Sequence, residues 1–277
     1  MSHDDTSGDA TPFGAALRRW RKGKGLSQMD LAMAAGISTR HLSFLETGRA
    51  NPSRGMVLRL AETLAVPLRY QNDLMASAGF AARYRETALS ADEFAMVRDM
   101  LERLLAKHEP WPALVVDHRF DIVMTNQAAA LLIGWLGLAV GEDGRPANVL
   151  RLLFAPRGLR QRVENWETAA RAMLVRAQRD LAELGAGNAH EALREILGDD
   201  LPPADWLEAV PDKPILPLLP LTFVRGEARH SWFTTITTFG TPQDVTMQEL
   251  RIESFFPADK ATDSFATEIL GGTAGRV

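Results

Sequence analysis

Arg40, His41, Ser43 and Phe44 fall on the outward side of a short helix in "AGISTRHLSFLETG", residues 35–48, where Ile37, Leu42 and Leu45 form the apolar side. An arginine among small polar residues can hydrogen-bond the edges of nucleobases, since a guanidinium offers two parallel donors that match guanine O6 and N7. Other chemistries find little support. The chain has no cysteine, which excludes disulfides and thiolate metal sites. Its six histidines (His3, His41, His108, His118, His190 and His230) show no metal spacing, and there is no HExxH, no P-loop, no G-x-G-x-x-G after a strand and no G-x-S-x-G. Asp117, Asp121, Asp244, Glu249 and Glu253 read as turn and solvent-face residues rather than a catalytic pair. No catalytic or metal-binding residue is expected, and the chain is not expected to be an enzyme. His230, beside a strand, could hydrogen-bond a ligand or a neighbour, or be an ordinary satisfied histidine.

The elements that must position Arg40 are written in local chemistry. Phe13, Leu17 and Trp20 repeat at helical spacing, and "KGKG" ends that helix at Gly25. Ser27 and Asp30 form a capping box for a second helix, with Leu31, Ala32 and Ala35 facing inward. Gly36 supplies the turn, because positive φ costs glycine little. Ser38 or Thr39 caps the third helix. Ser53 opens a fourth, with Met56, Leu58, Leu60, Ala61 and Leu64 available for packing. A fifth runs from Leu68 to Ala78 after Pro67. Two helices joined by a glycine turn, the second exposing small polar and basic residues, make a helix-turn-helix pattern suited to the major groove of DNA.

Charge is distributed accordingly. Between Pro12 and Leu60 there are nine basic and two acidic residues, a net +7, within a 277-residue chain of net −4. The remainder therefore carries −11, the asymmetry expected when one part meets phosphate; the alternative is a solvated basic face. Apolar content of 46% and charged content of 24% are those of a globular protein. No apolar run approaches the ~20 residues needed to span a bilayer, and the acidic, polar N-terminus is not a secretory signal. A cytoplasmic location and no membrane partner are expected.

The stretch "LSQMDLAMAAGISTRHLSFLETGRANPS" resembles the Xre family of regulators, whose DNA-binding unit is the five-helix fold of the lambdoid phage repressors. Gln28, Ala32, Gly36, Ile37, Leu45 and Glu46-Thr47-Gly48-Arg49 carry the resemblance, which covers about Phe13 to Ala78. It implies that Thr39, Arg40, Ser43 and Phe44 face base edges, while Gln28, Arg49 and Asn51 hold phosphates. It also implies an internal ion pair between Arg21 and Glu46. Ser38 completes the set of candidate DNA contacts. Phe44 departs from the usual polar residue; it would touch a thymine methyl or simply pack.

Further along, Ser90 with Glu93 reads as a second capping signal, ahead of a helical stripe of Phe94, Val97, Leu101, Leu104 and Leu105. That connector either packs on the second domain, the favoured reading, or pairs with its copy in a dimer. A homodimer suits a two-fold operator with half-sites about 34 Å apart. In "PALVVDHRFDIVMTNQAAALLIG", Ala113–Val116 reads as a strand, Asp117–Arg119 as a tight turn and Phe120–Met124 as the return strand. Asn126 then caps a helix. A hairpin running into an Asn-capped helix resembles the opening of a PAS fold. The segment "GLRQRVENWETAARAMLVRAQRDLAELG" is periodic, with Val163, Trp166, Ala170, Met173, Ala177, Leu181 and Leu184 in a stripe. "NAHEALREILG" and "PPADWLEAV" read as shorter helices. "PLLPLTFVRG", "ARHSWFTTITTFG" and "QELRIESFFPAD" read as antiparallel strands. In the middle one, Phe233, Thr235, Thr237 and Phe239 share one face and Trp232, Thr234, Ile236 and Thr238 the other; both faces are expected to be half-covered.

The whole resembles regulators of the MmyB-like kind, through "GRANPS", "AETLAVPLRYQNDLMASAGF", "HEPWPALVVDHRFDIVMTNQAA", "NWETAARAMLVRAQRDL" and "TTFGTPQDVTMQELRIESFFPAD", about Phe13 to Asp259. The resemblance implies a multidomain chain. An all-α five-helix lambda-repressor-like domain is followed by an α+β PAS-like domain with an antiparallel sheet, which holds an apolar small molecule such as a fatty acid. Expected boundaries are a disordered tail at 1–11, the helix-turn-helix domain at 12–80, a connector helix at 81–110, the PAS-like domain at 111–260 and a tail at 261–277. No cofactor is expected beyond that bound metabolite. A fatty-acid pocket needs apolar walls and a polar anchor. Trp135, Phe154, Trp166, Met173, Phe223, Phe233 and Phe239 are the candidate walls, each of which could instead be ordinary core. Arg176 (or Arg171) is the candidate carboxylate anchor. The alternative is a regulator that senses nothing, whose C-terminal domain only dimerises or docks another protein.

Overall fold

The computed structural model describes residues 11–138, 146–183, 189–208 and 220–271, and the chain divides into two units. In the first unit five helices surround one core: α1 (Pro12–Gly23), α2 (Gln28–Ala34), α3 (Thr39–Glu46), α4 (Arg54–Thr63) and α5 (Leu68–Ser77). Phe13, Leu17, Trp20, Leu31, Leu42, Leu45, Leu60 and Leu74 are buried in it.

The caps follow the sequence. Thr11, inside the span read as a tail, accepts from the Gly14 backbone N–H as the cap of α1; residues 1–10 lie outside the described residues. Ser27 and Asp30 form the reciprocal capping box of α2. Ser38, not Thr39, caps α3, and Ser53 caps α4. Gly36 has φ +65° in the turn between α2 and α3, and Gly48 has φ +74° after α3. There the Arg49 N–H returns to the Phe44 carbonyl at 2.8 Å, which closes the helix end. This is the physical content of the Thr47-Gly48-Arg49 sequence. Asn72 on α5 extends the unit past its expected end at residue 80: its Oδ1 accepts from the N–H groups of Arg83 and Tyr84, and its amide donates to the Tyr84 carbonyl.

The second unit is built on a five-stranded sheet, wholly antiparallel, in the order β2-β1-β5-β4-β3. The strands are β1 (Ala113–Val116), β2 (Ile122–Thr125), β3 (Leu221–Arg225), β4 (Ala228–Thr237) and β5 (Arg251–Pro257). Helix α6 (Ala95–Lys107) precedes it. Its buried Leu101 and Leu105 join Ala113, Val115 and Ile252, so the helix packs on this domain, as favoured. The expected Ser90–Glu93 cap is absent. A 3-10 turn at Asp92–Phe94 leads into α6, and Arg98 secures it by donating to the carbonyls of Leu89 and Ala91.

The alternate residues Leu114, Val116 and Phe255 point to the other sheet face, which is covered by α7 (Gln127–Leu136), α8 (Val149–Phe154) and α9 (Trp166–Glu183). Asn126 joins the layers. Its Oδ1 accepts from the N–H groups of Ala113 and Ala129, and its amide donates to the Trp111 carbonyl. Three shorter helices follow: α10 (Ala189–Leu197), α11 (Ala204–Glu208) and α12 (Val245–Glu249).

Several expectations need correction. The return strand starts at Ile122 rather than Phe120, because Asp117 Oδ1 gathers the N–H groups of Arg119 and Asp121 into a wider turn, with Phe120 at φ +66°. The long helix starts at Trp166, after a 3-10 turn at Leu159–Gln161; Leu184 of its stripe lies outside the described residues. Helices α8 and α12 were not anticipated. The expected tail at 261–277 instead begins with α13 (Lys260–Phe265), capped by Asp259, and a π-helical turn at Ala266–Leu270. Phe265, Ala266 and Leu270 are buried in the domain core, and Thr262 Oγ1 accepts from the Ser231 N–H of β4. Residues 272–277 lie outside the described residues.

Candidate functional sites: the exposed face of α3 and an apolar cavity

In the first unit, α3 presents Ser38, Thr39 and Arg40 exposed at its N-terminal end, with Ser43 and Phe44 half-exposed one turn on. Ser38 Oγ is engaged by the His41 N–H as the cap. The Arg40 guanidinium lies over the Phe44 ring, 5.3 Å from its centroid. Phe44 therefore supports the arginine, a contact worth about 0.5–1 kcal/mol at an exposed site. Arg49 and Asn51 are exposed just beyond α3.

Behind this surface, Arg21 and Glu46 pair through two hydrogen bonds, Nε to Oε1 at 2.6 Å and Nη2 to Oε2 at 3.0 Å. The Gln28 amide adds a third to Oε2 at 2.8 Å. Gln28, expected at phosphate, thus also ties the start of α2 to the end of α3. Burial pushes the Glu46 carboxyl upward, but the hydrogen bonds from Arg21 and Gln28 and the charges of Arg21 and Arg18 outweigh it. Its pKa lies below the ordinary value. Arg21 is correspondingly raised, chiefly by its hydrogen bond to Glu46.

In the second unit a cavity of about 110 Å³ lies between the sheet and the helices α7, α8 and α9. Leu132, Ile133 and Leu136 of α7, Leu152 and Leu153 of α8, Ala169 and Met173 of α9, and Leu114, Phe223 and Phe255 of the sheet line it. Among the described residues only Thr234 and Glu253 bring hydrogen-bonding side chains to its wall. A cavity of similar size lined by aliphatic residues stays dry and takes up benzene, so apolar chemistry suits this one.

Of the wall residues expected from sequence, Met173 and Phe223 line the cavity. Trp135 instead packs against His230 and Phe265, with centroids 5.3 and 5.0 Å away. His230 stacks on Phe265 at 3.8 Å, and burial lowers its pKa against the opposing pull of Asp259. Phe154 meets Trp166 edge-on, and Trp166 leans on Trp206 while donating to the Leu153 carbonyl. Phe233 stacks on Phe256, and Phe239 packs with the α6 core. Arg171 pairs with Glu167 and covers Trp206. Arg176 does not line the cavity. Its guanidinium lies 2.7 Å from Glu253 and 3.4 Å from Asp180, over the Phe120 ring. Glu253, Glu249 and Asp244, read as solvent-face residues, are buried; Glu253 is only 3% exposed. In β5 both faces of the sheet are covered, so alternation there does not distinguish water from core. Among the described residues no cluster of acidic and histidine side chains could hold a metal ion, and no helix is long and apolar enough to cross a membrane.

Comparison with known proteins agrees with this division. Residues 12–70 match a helix-turn-helix domain. An HTH-type transcriptional regulator of Bacillus subtilis (strain 168), RghRB, is 38% identical over 84 residues, covering 30% of this chain and 58% of that protein. A solved RNA-binding light-oxygen-voltage receptor aligns with 94% of this chain and 62% of its own, at 11% identity; its TM-score of 0.27 does not establish a shared arrangement. Residues 97–268, more than half of the chain, match the MmyB-like transcription regulator ligand binding domain. With its helix-turn-helix unit ahead of that domain, the chain belongs to the MmyB-like transcription regulators.

Proposed function

We propose that this regulator senses an apolar small molecule, a fatty acid or similar metabolite, in the cavity between the sheet and α7–α9, and that occupancy changes its grip on operator DNA. The carrying observation is the cavity itself: an aliphatic space with two polar side chains on its wall, inside the domain whose family is named for ligand binding. For occupancy to matter, the ligand must bind the DNA-competent and DNA-incompetent forms with different affinity, and the coupling is then reciprocal.

Arg40 is the residue proposed to read a base, with Thr39, Ser43 and Phe44 beside it and Arg49, Asn51 and Gln28 toward phosphate. One short helix reads few base pairs, so two copies on a two-fold operator are proposed. The test is mass spectrometry of the organic extract of the purified full chain, followed by titration of any acyl compound found into an operator-binding assay. An acyl compound near one per chain that shifts operator affinity supports the proposal. A chain that carries nothing, shows no thermal shift with fatty acids and binds DNA regardless would overturn it in favour of a domain that only dimerises or docks.

A further inference from the structure

Helix α6 carries two apolar faces. Its buried Leu101 and Leu105 pack on the sheet with Ala113, Val115 and Ile252. A second stripe, Met96, Met100 and Leu104, recurs every four residues and faces solvent, at 83%, 37% and 47% exposure. Leu104, which sequence spacing groups with the packing residues, thus falls on the outer stripe. No other helix among the described residues exposes three large apolar side chains on one face. Single exposed apolar residues are ordinary, but a contiguous stripe marks a contact surface.

The charges beside the stripe are placed symmetrically about Met100. Glu93 lies seven residues before it, in the 3-10 turn that opens α6, and Lys107 lies seven residues after it. Seven residues are close to two helical turns, so both fall near the stripe at its two ends, and both are exposed. Asp99 and Arg103, on its flank, already pair with each other along the helix at 2.7 Å. We infer that a second copy of the chain docks on this face, with the two α6 helices antiparallel about a two-fold axis at Met100. The inference deepens the two-copy reading above and rests on it. That arrangement sets Met96 of each copy against Leu104 of the other, Met100 against its own copy, and Glu93 against Lys107 at both ends. Parallel helices would instead set Glu93 against Glu93 and Lys107 against Lys107, so charge decides the direction. The unbranched methionines adapt to such a contact. An isologous contact of this kind has the symmetry that a two-fold operator requires. Four turns of helix bury less than the ~1,600 Å² of a standard interface, so the dimer is weak and forms at micromolar concentration.

Sedimentation velocity of the full chain, from low to high micromolar concentration, tests this by mass. The unaltered chain is expected to move toward twice its mass as concentration rises. Glu93→Lys and Lys107→Glu, each alone, turn both end contacts into repulsions and should raise the dimer Kd about tenfold. The two changes together restore opposite charges and should restore the dimer. Both positions are exposed, so the swaps leave the core untouched, and Tm checks that they do. A chain that dimerises with the same Kd in all variants places the interface elsewhere: the α6 inference falls and the two-copy reading stands. A swap that lowers Tm without changing mass would assign the stripe to another segment of the same chain and overturn the inference. A chain that stays monomeric overturns it too; if such a chain also binds operator as one copy, the two-copy reading falls with it.

Discussion

Arg21 and Glu46 hold α1 to the end of α3 through two parallel hydrogen bonds, at 7% and 3% exposure, with Gln28 bonded to the same carboxylate. The pair lies directly behind α3, the helix proposed to read DNA, so it fixes the pose of α3 as well as adding stability. Removing one partner of a buried pair strands the other and costs about 3–5 kcal/mol. Arg21→Ala should lose that much in urea unfolding of the helix-turn-helix unit. Arg21→Met with Glu46→Leu should lose much less, because neither charge is stranded. Equal losses in the single and double variants would show that the ion pair is not what the cost reflects.

The same carboxylate sets a pH dependence. Glu46 has its folded pKa below the ordinary value of 4.5. Its contribution is therefore complete above about pH 4.5 and is lost as pH falls through the depressed folded value. Thermal melts from pH 6 down to pH 3 should show Tm of this unit falling through that window. Glu46→Gln should start lower and fall less steeply. A Glu46→Gln chain whose Tm tracks the unaltered chain in parallel across that range would assign the acid sensitivity to other carboxylates.

Close backbone approach makes Gly14 a third support of α3. A Cβ there would lie 2.6 Å from the carbonyl oxygens of both Leu45 and Glu46, which are backbone atoms and cannot swing away. Gly14→Ala should cost about 1–3 kcal/mol, the range for overpacking, despite alanine's better helix propensity. Ala-for-Gly at position 23, where a Cβ meets nothing within 4 Å, is the matched control. Position 14 losing no more stability than position 23 would contradict the close contact.

For the reading surface, Arg40→Ala should weaken specific binding by about 1–3 kcal/mol and change binding to scrambled DNA less. Phe44→Ala should reproduce part of this loss, since the ring supports the Arg40 guanidinium. Gel shifts on operator and scrambled duplex at one salt concentration separate the roles. Arg49→Ala, by contrast, should weaken both duplexes alike and reduce the salt dependence, as expected of a phosphate contact.

Much of the first unit is legible because its determinants are local. Ser27 with Asp30, Ser38, Gly36, Gly48 and Ser53 each specify a cap or a turn within three or four residues, and each does so in the structure. The strand β1 and the Asn126 cap are legible for the same reason. Helices α8, α12 and α13 are five or six residues long, too short to carry a periodic signal, and are set by burial of residues such as Phe154 and Phe265 in the tertiary core. The cavity is the hardest feature to read. Its wall is mostly Leu, Ile and Val, which in sequence look like any core, while the more conspicuous aromatics Trp135, Trp166 and Phe233 pack elsewhere. Glu253 reads as a solvent residue because nothing local reveals that α9 covers its strand.

Filling the cavity tests whether that space is functional or only loosely packed. Ala129 on α7 lies on its wall and is itself buried. Ala129→Leu adds three carbons toward a space of about 110 Å³, so the side chain has room without displacing the sheet. The variant should keep or raise its Tm and lose most toluene binding. If occupancy governs operator affinity, the filled chain should hold one DNA affinity whether or not a fatty acid is present, and that affinity should resemble the ligand-bound state of the unaltered chain. A variant that folds, no longer takes up toluene and still changes its operator affinity with a fatty acid would place the responsive site outside this cavity.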